Sequence, residues 1–152
     1  SCITNYMSNN QFKRGELYSV INGVASTAVA RRLQKNFRNA GLEITIEQWS
    51  ILYHLWKEDG LSQQELCTRT FRDKASITRL IDNIEKLGLV ERIASKDDRR
   101  VNLVYLTDAA KPLQEATYNI ANQTMNEALQ GISKEEIEIV KSVFQRVYEN
   151  SK

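Results

Sequence analysis

The chain is punctuated for helices at regular intervals, and this limits its folds more than any other feature. Four of its six glycines, Gly41, Gly60, Gly88 and Gly131, each follow a run with helical apolar spacing. That is where a left-handed residue ends a helix. Start signals answer them. Thr45-Ile-Glu-Gln48, Ser62-Gln-Gln-Glu65 and Ser133-Lys-Glu-Glu136 each place Gln or Glu three residues after a hydroxyl, so that the cap and the third residue satisfy each other's backbone. Asp73, before Lys74, is a further N-cap. Punctuation this dense demands a chain of separate helices joined by turns.

Apolar spacing fills in the helices. Leu17, Ile21, Val24, Ala28 and Val29 predict a long first helix from about Gln11 to Asn39. Trp49, Leu52, Tyr53 and Trp56 mark a second over Thr45 to Glu58, and Leu66 points inward from a short third over Ser62 to Thr70. A fourth spans Asp73 to Leu87, with Ile77, Leu80, Ile81, Ile84 and Leu87 facing the core. After Gly88 the period changes to two. Leu89–Ala94 and Val101–Leu106 read as strands of a hairpin around SKDDRR. Helical spacing then returns with Leu113, Ala116, Ile120, Thr124 and Leu129, and again with Ile137, Val140, Phe144, Val147 and Tyr148. Pro112 should either begin the fifth helix after a loose first turn or kink it. The first ten residues, SCITNYMSNN, read as a disordered or tag-like start.

At 152 residues, 41% apolar and 26% charged, the chain can bury a core without disulfides or metals. It has no bilayer-length apolar run and no signal-peptide pattern, so a cytoplasmic location without membrane association is expected. Cys2 and Cys67 form neither a disulfide framework nor a metal spacing. A single histidine, His54, and the absence of HExxH, GxSxG, CxxC or a glycine-rich phosphate loop give no catalytic residues, no metal and no cofactor to nominate. Cys67, beside Leu66, reads as core filler, and His54 as a solvated or hydrogen-bonded side chain.

The order of second helix, short third helix, turn, fourth helix and hairpin is that of a winged helix-turn-helix, whose fourth helix here would enter the DNA major groove N-terminus first. Its outer face carries Lys74, Ala75, Ser76, Thr78 and Arg79, groups able to meet bases or phosphates, with Ala75 small enough for close approach. Arg69 to Arg100 holds nine Lys or Arg and six Asp or Glu, so 9 − 6 gives +3, more than the +2 of the whole chain. The competing explanation is that such a face is merely solvated.

The stretch LSQQELCTRTFRDKASITRLIDNIEKLGLVERIASKDDRRVNLVYLT, Leu61 to Thr107, resembles the MarR family of bacterial transcriptional regulators. DKASITRLIDNIEKLGLVER is similar to that family's recognition helix and first wing strand, and DDRR to its wing tip. The resemblance extends more weakly to the terminal helices, and Ala110 and Pro112 depart from the family near its fifth helix. It implies a mainly α fold with a small β-wing, a winged helix-turn-helix flanked by N- and C-terminal dimerisation helices. In residue terms, 11–150 would be one domain, with 45–107 as the DNA-binding lobe and 11–40 and 108–150 as dimerisation helices. It also implies a homodimer on a palindromic double-stranded operator, most often a repressor, relieved by a small effector.

By the same resemblance Arg99 or Arg100 would enter the minor groove while its neighbour takes a phosphate. Asp98 would orient an arginine through a bidentate pair, although turns favour Asp in any case. Tyr18, Trp49, Tyr53 and Trp56 are candidates for an effector cleft, with ordinary core packing the alternative. Cys2 lies poorly for the redox sensing seen in one branch of the family. Two other functions compete: a winged-helix module that binds protein and not DNA, and an enzyme whose site the sequence does not display.

Overall fold

The computed structural model describes Ser19 and residues 23–152. The expectations for residues 1–10, Leu17, Tyr18, Ile21 and Cys2, and the start of the first helix, lie outside that range. In chain order the elements are α1 (Val24–Asn39), α2 (Ile46–Lys57), β1 (Leu61–Ser62), α3 (Gln63–Thr70), α4 (Lys74–Lys86), β2 (Val90–Ala94) and β3 (Asn102–Leu106). A 3-10 turn over Asp108–Ala110 then leads to α5 (Leu113–Ala128) and α6 (Lys134–Ser151).

The start signals form as the chemistry requires. Thr45, Ser62 and Ser133 each accept from the backbone N–H three residues on, while Gln48, Glu65 and Glu136 reach back to the cap. Gly41, Gly88 and Gly131 follow helix ends with positive φ. Pro112 occupies the N-cap position of α5 behind the 3-10 turn, so the regular helix begins after a loose first turn and is not kinked there.

The core sits where α2, α3 and α4 meet the sheet. Ile51, Leu52, Leu55, Leu66, Ile77, Ile81, Ile84 and Val104 are buried. Burying each aliphatic side chain is favourable by about 1.5–3 kcal/mol, so the three isoleucines of α4 clamp that helix to the lobe. α1 packs along α5, where Asn36 donates to Thr124 Oγ1 at 2.8 Å and Arg32 pairs with Glu127 at 2.7 Å. The buried residues of α1 are Leu33 and Phe37.

Several expectations need correction. The wing is a three-stranded antiparallel sheet of order β1-β3-β2, not a simple hairpin. Leu61 pairs with Val104, and Val90 to Ala94 run against Leu106 to Asn102. Leu87 is 48% exposed, because α4 ends at Lys86 and Leu87 already belongs to the turn into Gly88. On α5 the buried residues are Thr117, Ala121 and Thr124, with Ala116 exposed. The threonines are admitted because each hydroxyl donates to the carbonyl four residues back. Val24 and Ala28 are exposed on α1, and no residue of α6 is fully buried among the described residues.

Candidate nucleic-acid interface

The candidate helix α4 is built from its cap outward. Asp73 accepts from the Ser76 amide and from the Ser76 hydroxyl, each at 2.8 Å. The amide bond first and the hydroxyl second hold the Asp73 carboxyl below its ordinary value. Ser76, expected on the outer face, therefore spends its proton on the cap. Because Ile77, Ile81 and Ile84 turn inward, Lys74, Ala75 and Arg79 are exposed on the far side, with Ser76 and Thr78 half-buried. The turn before α4 runs through Phe71 in the left-handed region, φ 52° and ψ 42°. Its ring is 69% exposed and meets Tyr148 of α6 edge-on at 5.5 Å.

The wing tip is closed by Ser95 N–H donating to the Val101 carbonyl at 2.8 Å and Val101 N–H to the Asp98 carbonyl at 2.9 Å. Asp98 receives the Arg100 backbone N–H at 3.0 Å and the Arg100 guanidinium through Nε and Nη2, each at 3.1 Å. The guanidinium bond is the larger cause that holds the Asp98 carboxyl below its usual range. Arg99 is exposed and has no hydrogen bond or ion pair among the described residues.

Behind both elements lies an arginine that the charge pattern did not single out. Arg92 of β2 has a side chain only 17% exposed. It pairs with Asp82 at 2.5 Å and Glu85 at 3.0 Å, and its amide donates to Glu85 Oε2 at 3.2 Å. Its Nη2 points at the Thr78 carbonyl at 3.5 Å, and its Nε donates to Gln63 Oε1 at 3.4 Å. Gln63 Nε2 in turn donates to Thr78 Oγ1 at 3.0 Å. Wing strand β2, α3 and α4 are thus tied through one guanidinium. A signal existed in the sequence: by the period of two, Arg92 shares a strand face with Val90, and it lies opposite buried Val104.

The aromatic candidates are placed as a chain of ring contacts. Trp49 meets Phe37 at 5.8 Å and Tyr53 at 5.7 Å, while Tyr118 of α5 meets Tyr53 at 5.8 Å and Trp56 at 5.9 Å. Trp56 Nε1 donates to the Ala110 carbonyl at 3.3 Å. Trp49 Nε1 is buried without an acceptor among the described residues. His54 lies edge-on to Tyr53 at 5.5 Å, and burial, followed by the charges of Arg69 and Lys57, pushes its pKa down. Cys67 is half-buried against the core. Among the described residues no three His, Cys, Asp or Glu come together as a metal cluster, and no helix is long and apolar enough to cross a membrane.

Three helices, the last two joined by a turn, backed by a three-stranded wing and carrying exposed cationic residues on one helix and at the wing tip, define a winged helix-turn-helix. The comparisons with known proteins agree. The profile of the MarR family matches residues 41–101. A probable transcriptional regulator from Pseudomonas aeruginosa is 30% identical with a TM-score of 0.69, over 80% of this chain and 92% of that one. A MarR transcriptional regulator from Methanosarcina mazei Go1 is 25% identical with a TM-score of 0.73, over 90% and 94% of the two chains. CouR from Rhodococcus jostii RHA1, solved bound to p-coumaroyl-CoA, is 20% identical with a TM-score of 0.73, over 89% and 91%, and shares the fold. The chain belongs to the MarR family of transcriptional regulators.

Proposed function

We propose that the chain is a homodimeric regulator that binds a palindromic double-stranded operator by sequence, acting in the cytoplasm as a repressor relieved by a small effector. The observation that carries this is the exposure of Lys74, Ala75 and Arg79 on α4 together with Arg99 and Arg100 on the wing, while Arg92 ties the two elements together. A helix end reads base edges and a guanidinium suits the negative potential of a narrow minor groove. The unburied apolar residues of α6, among them Ile139, Val140, Val143 and Phe144, support a partner subunit. A two-fold pair would set its two recognition helices about 34–36 Å apart. The effector part rests on Trp49, whose buried indole N–H has no acceptor among the described residues, one that a ligand carbonyl or carboxylate would supply.

Phe71, an exposed aromatic beside the recognition helix, favours the second reading, a module that docks on protein and not on DNA. One experiment separates them. Arg79→Ala should lose sequence preference and affinity on duplexes selected from a random pool. Arg99→Ala with Arg100→Ala should weaken all duplexes and flatten the salt dependence by up to about 0.9 log units for each phosphate no longer neutralised. Parental binding by both variants would remove the DNA assignment.

A further inference from the structure

We infer that Thr78 is presented outward as a hydrogen-bond donor, its polarity set by Arg92 acting through Gln63. The inference rests on the DNA-binding reading and adds which edge of a base this position reads.

Arg92 carries only donors. With Nε directed at Gln63, it fixes the carbonyl end of that amide toward itself, at 3.4 Å. The NH2 end is thereby turned to Thr78, whose hydroxyl oxygen accepts it at 3.0 Å. A hydroxyl has one proton and two lone pairs, and the intramolecular bond consumes one lone pair, leaving the proton and a single lone pair where a free hydroxyl has two. Threonines in helices often discard that proton on the carbonyl four residues back. Thr68, Thr70, Thr117 and Thr124 do so here, at 3.1, 2.6, 2.7 and 2.7 Å. Thr78 does not, and among the described residues its proton has no acceptor. It lies on the first two turns of α4, between the exposed Ala75 and Arg79.

A donor held there suits an acceptor-only edge in the major groove, guanine N7 and O6 or thymine O4, better than cytosine, whose N4 amino group meets only the one remaining lone pair. Thr78 is therefore a specificity-determining contact, while Gln63 and Arg92 are positioning residues that need not touch the duplex.

The test is selection from random duplexes by the full chain and by Thr78→Val and Gln63→Glu. Thr78→Val keeps the shape and should erase the preference at one position per half-site, a loss of about three- to tenfold, while the rest of the consensus stands. A carboxylate at residue 63 has no proton to donate, so Thr78 should donate to it and turn lone pairs outward. Gln63→Glu should therefore shift that position toward cytosine. An unchanged consensus with both variants overturns the inference while leaving DNA binding intact. If the parent enriches no consensus, the DNA reading itself fails and this inference with it. A readout without DNA tests the relay alone: the Gln63 side-chain amide protons, followed by NMR, should move in Thr78→Val, and their failure to move also overturns it.

Discussion

Asp98 takes the Arg100 guanidinium through two nitrogens at 3.1 Å each, although the Arg100 side chain is 90% exposed. Exposed ion pairs add little to stability because water screens them. What the pair supplies is direction for a long side chain that would otherwise sample many rotamers. Asp98→Ala therefore sets two effects against each other. Removing an anion near a phosphate backbone should tighten binding, and freeing Arg100 should weaken it. Ordering a side chain of this kind costs roughly two- to tenfold in affinity, and we expect weakening of that size with an unchanged melting temperature. Fluorescence anisotropy at fixed salt decides it, and tighter binding would show that the orienting role is wrong.

Gly60 carries a steric demand that the other turn glycines lack. Its φ is +73°, and a Cβ there would sit 2.7 Å from a Tyr105 ring carbon. Gly88 has φ +75° and open space around it. Left-handed backbone alone costs a non-glycine residue about 1–2 kcal/mol. Gly88→Ala should lose about that much, and Gly60→Ala more, since Tyr105 lies on β3 and must move. The neighbouring Asp59 carboxylate accepts from the Leu106 amide at 2.9 Å, so the same turn anchors the wing. Urea titration of the two variants gives the order, and equal losses would mean that the ring yields freely.

The helices were legible because their signals are local. Thr45, Ser62 and Ser133 needed only a partner three residues away, and all three boxes form. Leu61–Ser62 escaped notice as a strand because two residues give no period, and Ser62 reads more strongly as a cap. Leu87 was misplaced by extending a helical stripe one residue past the point where the backbone turns. The surface of α4 was visible as a list of polar residues, but not the division of labour among them. Whether Ser76 serves the cap or Thr78 meets Gln63 depends on atoms brought together by folding. Arg92 was hidden for the same reason. Its partners lie 7 to 29 residues away in the chain, on α3 and α4.

Removing Arg92 should therefore cost more than removing any exposed arginine. Asp82 and Glu85 would keep their charges without a partner, though they are 50% and 42% exposed and water would offset part of the loss. Arg92→Met, which keeps most of the packed stem, should destabilise the fold by about 1–3 kcal/mol. Arg32→Met, at a 60% exposed pair, should change it by less than about 1 kcal/mol. Denaturant midpoints measured side by side would show the difference, and equal midpoints would mean that the Arg92 network is slack.

The cap of α4 sets a pH dependence with a definite sign. The folded Asp73 carboxyl titrates below its ordinary value of 3.8 because the Ser76 amide and hydroxyl bind its charged form. The unfolded state therefore binds more protons in that window, and stability rises with pH across it. The contribution is complete above the ordinary value and is lost as pH falls through the lower folded one. Asp73→Asn can cap the helix but cannot titrate. Melting temperatures of parent and variant should converge as the pH is lowered below about 4 and separate above it, in favour of the parent. Parallel curves from pH 7 to 2 would mean that Asp73 is not coupled to folding.

The exposed stripe of α6 yields the last expectation. Val140 and Phe144 are four residues apart on one helix face, 50% and 45% exposed, and no residue of the helix is fully buried against the described residues. If a second subunit covers that stripe, Val140→Asp with Phe144→Asp puts two charges into an apolar interface. Each costs several kcal/mol to desolvate, enough to separate the subunits. Sedimentation should then move from twice 17.5 kDa to the monomer mass. Binding to a full palindrome should fall toward that of a half-site, while the lobe built on Ile77, Ile81 and Ile84 keeps its fold. A parent that already sediments as a monomer at micromolar concentration would instead leave α6 without the role proposed for it.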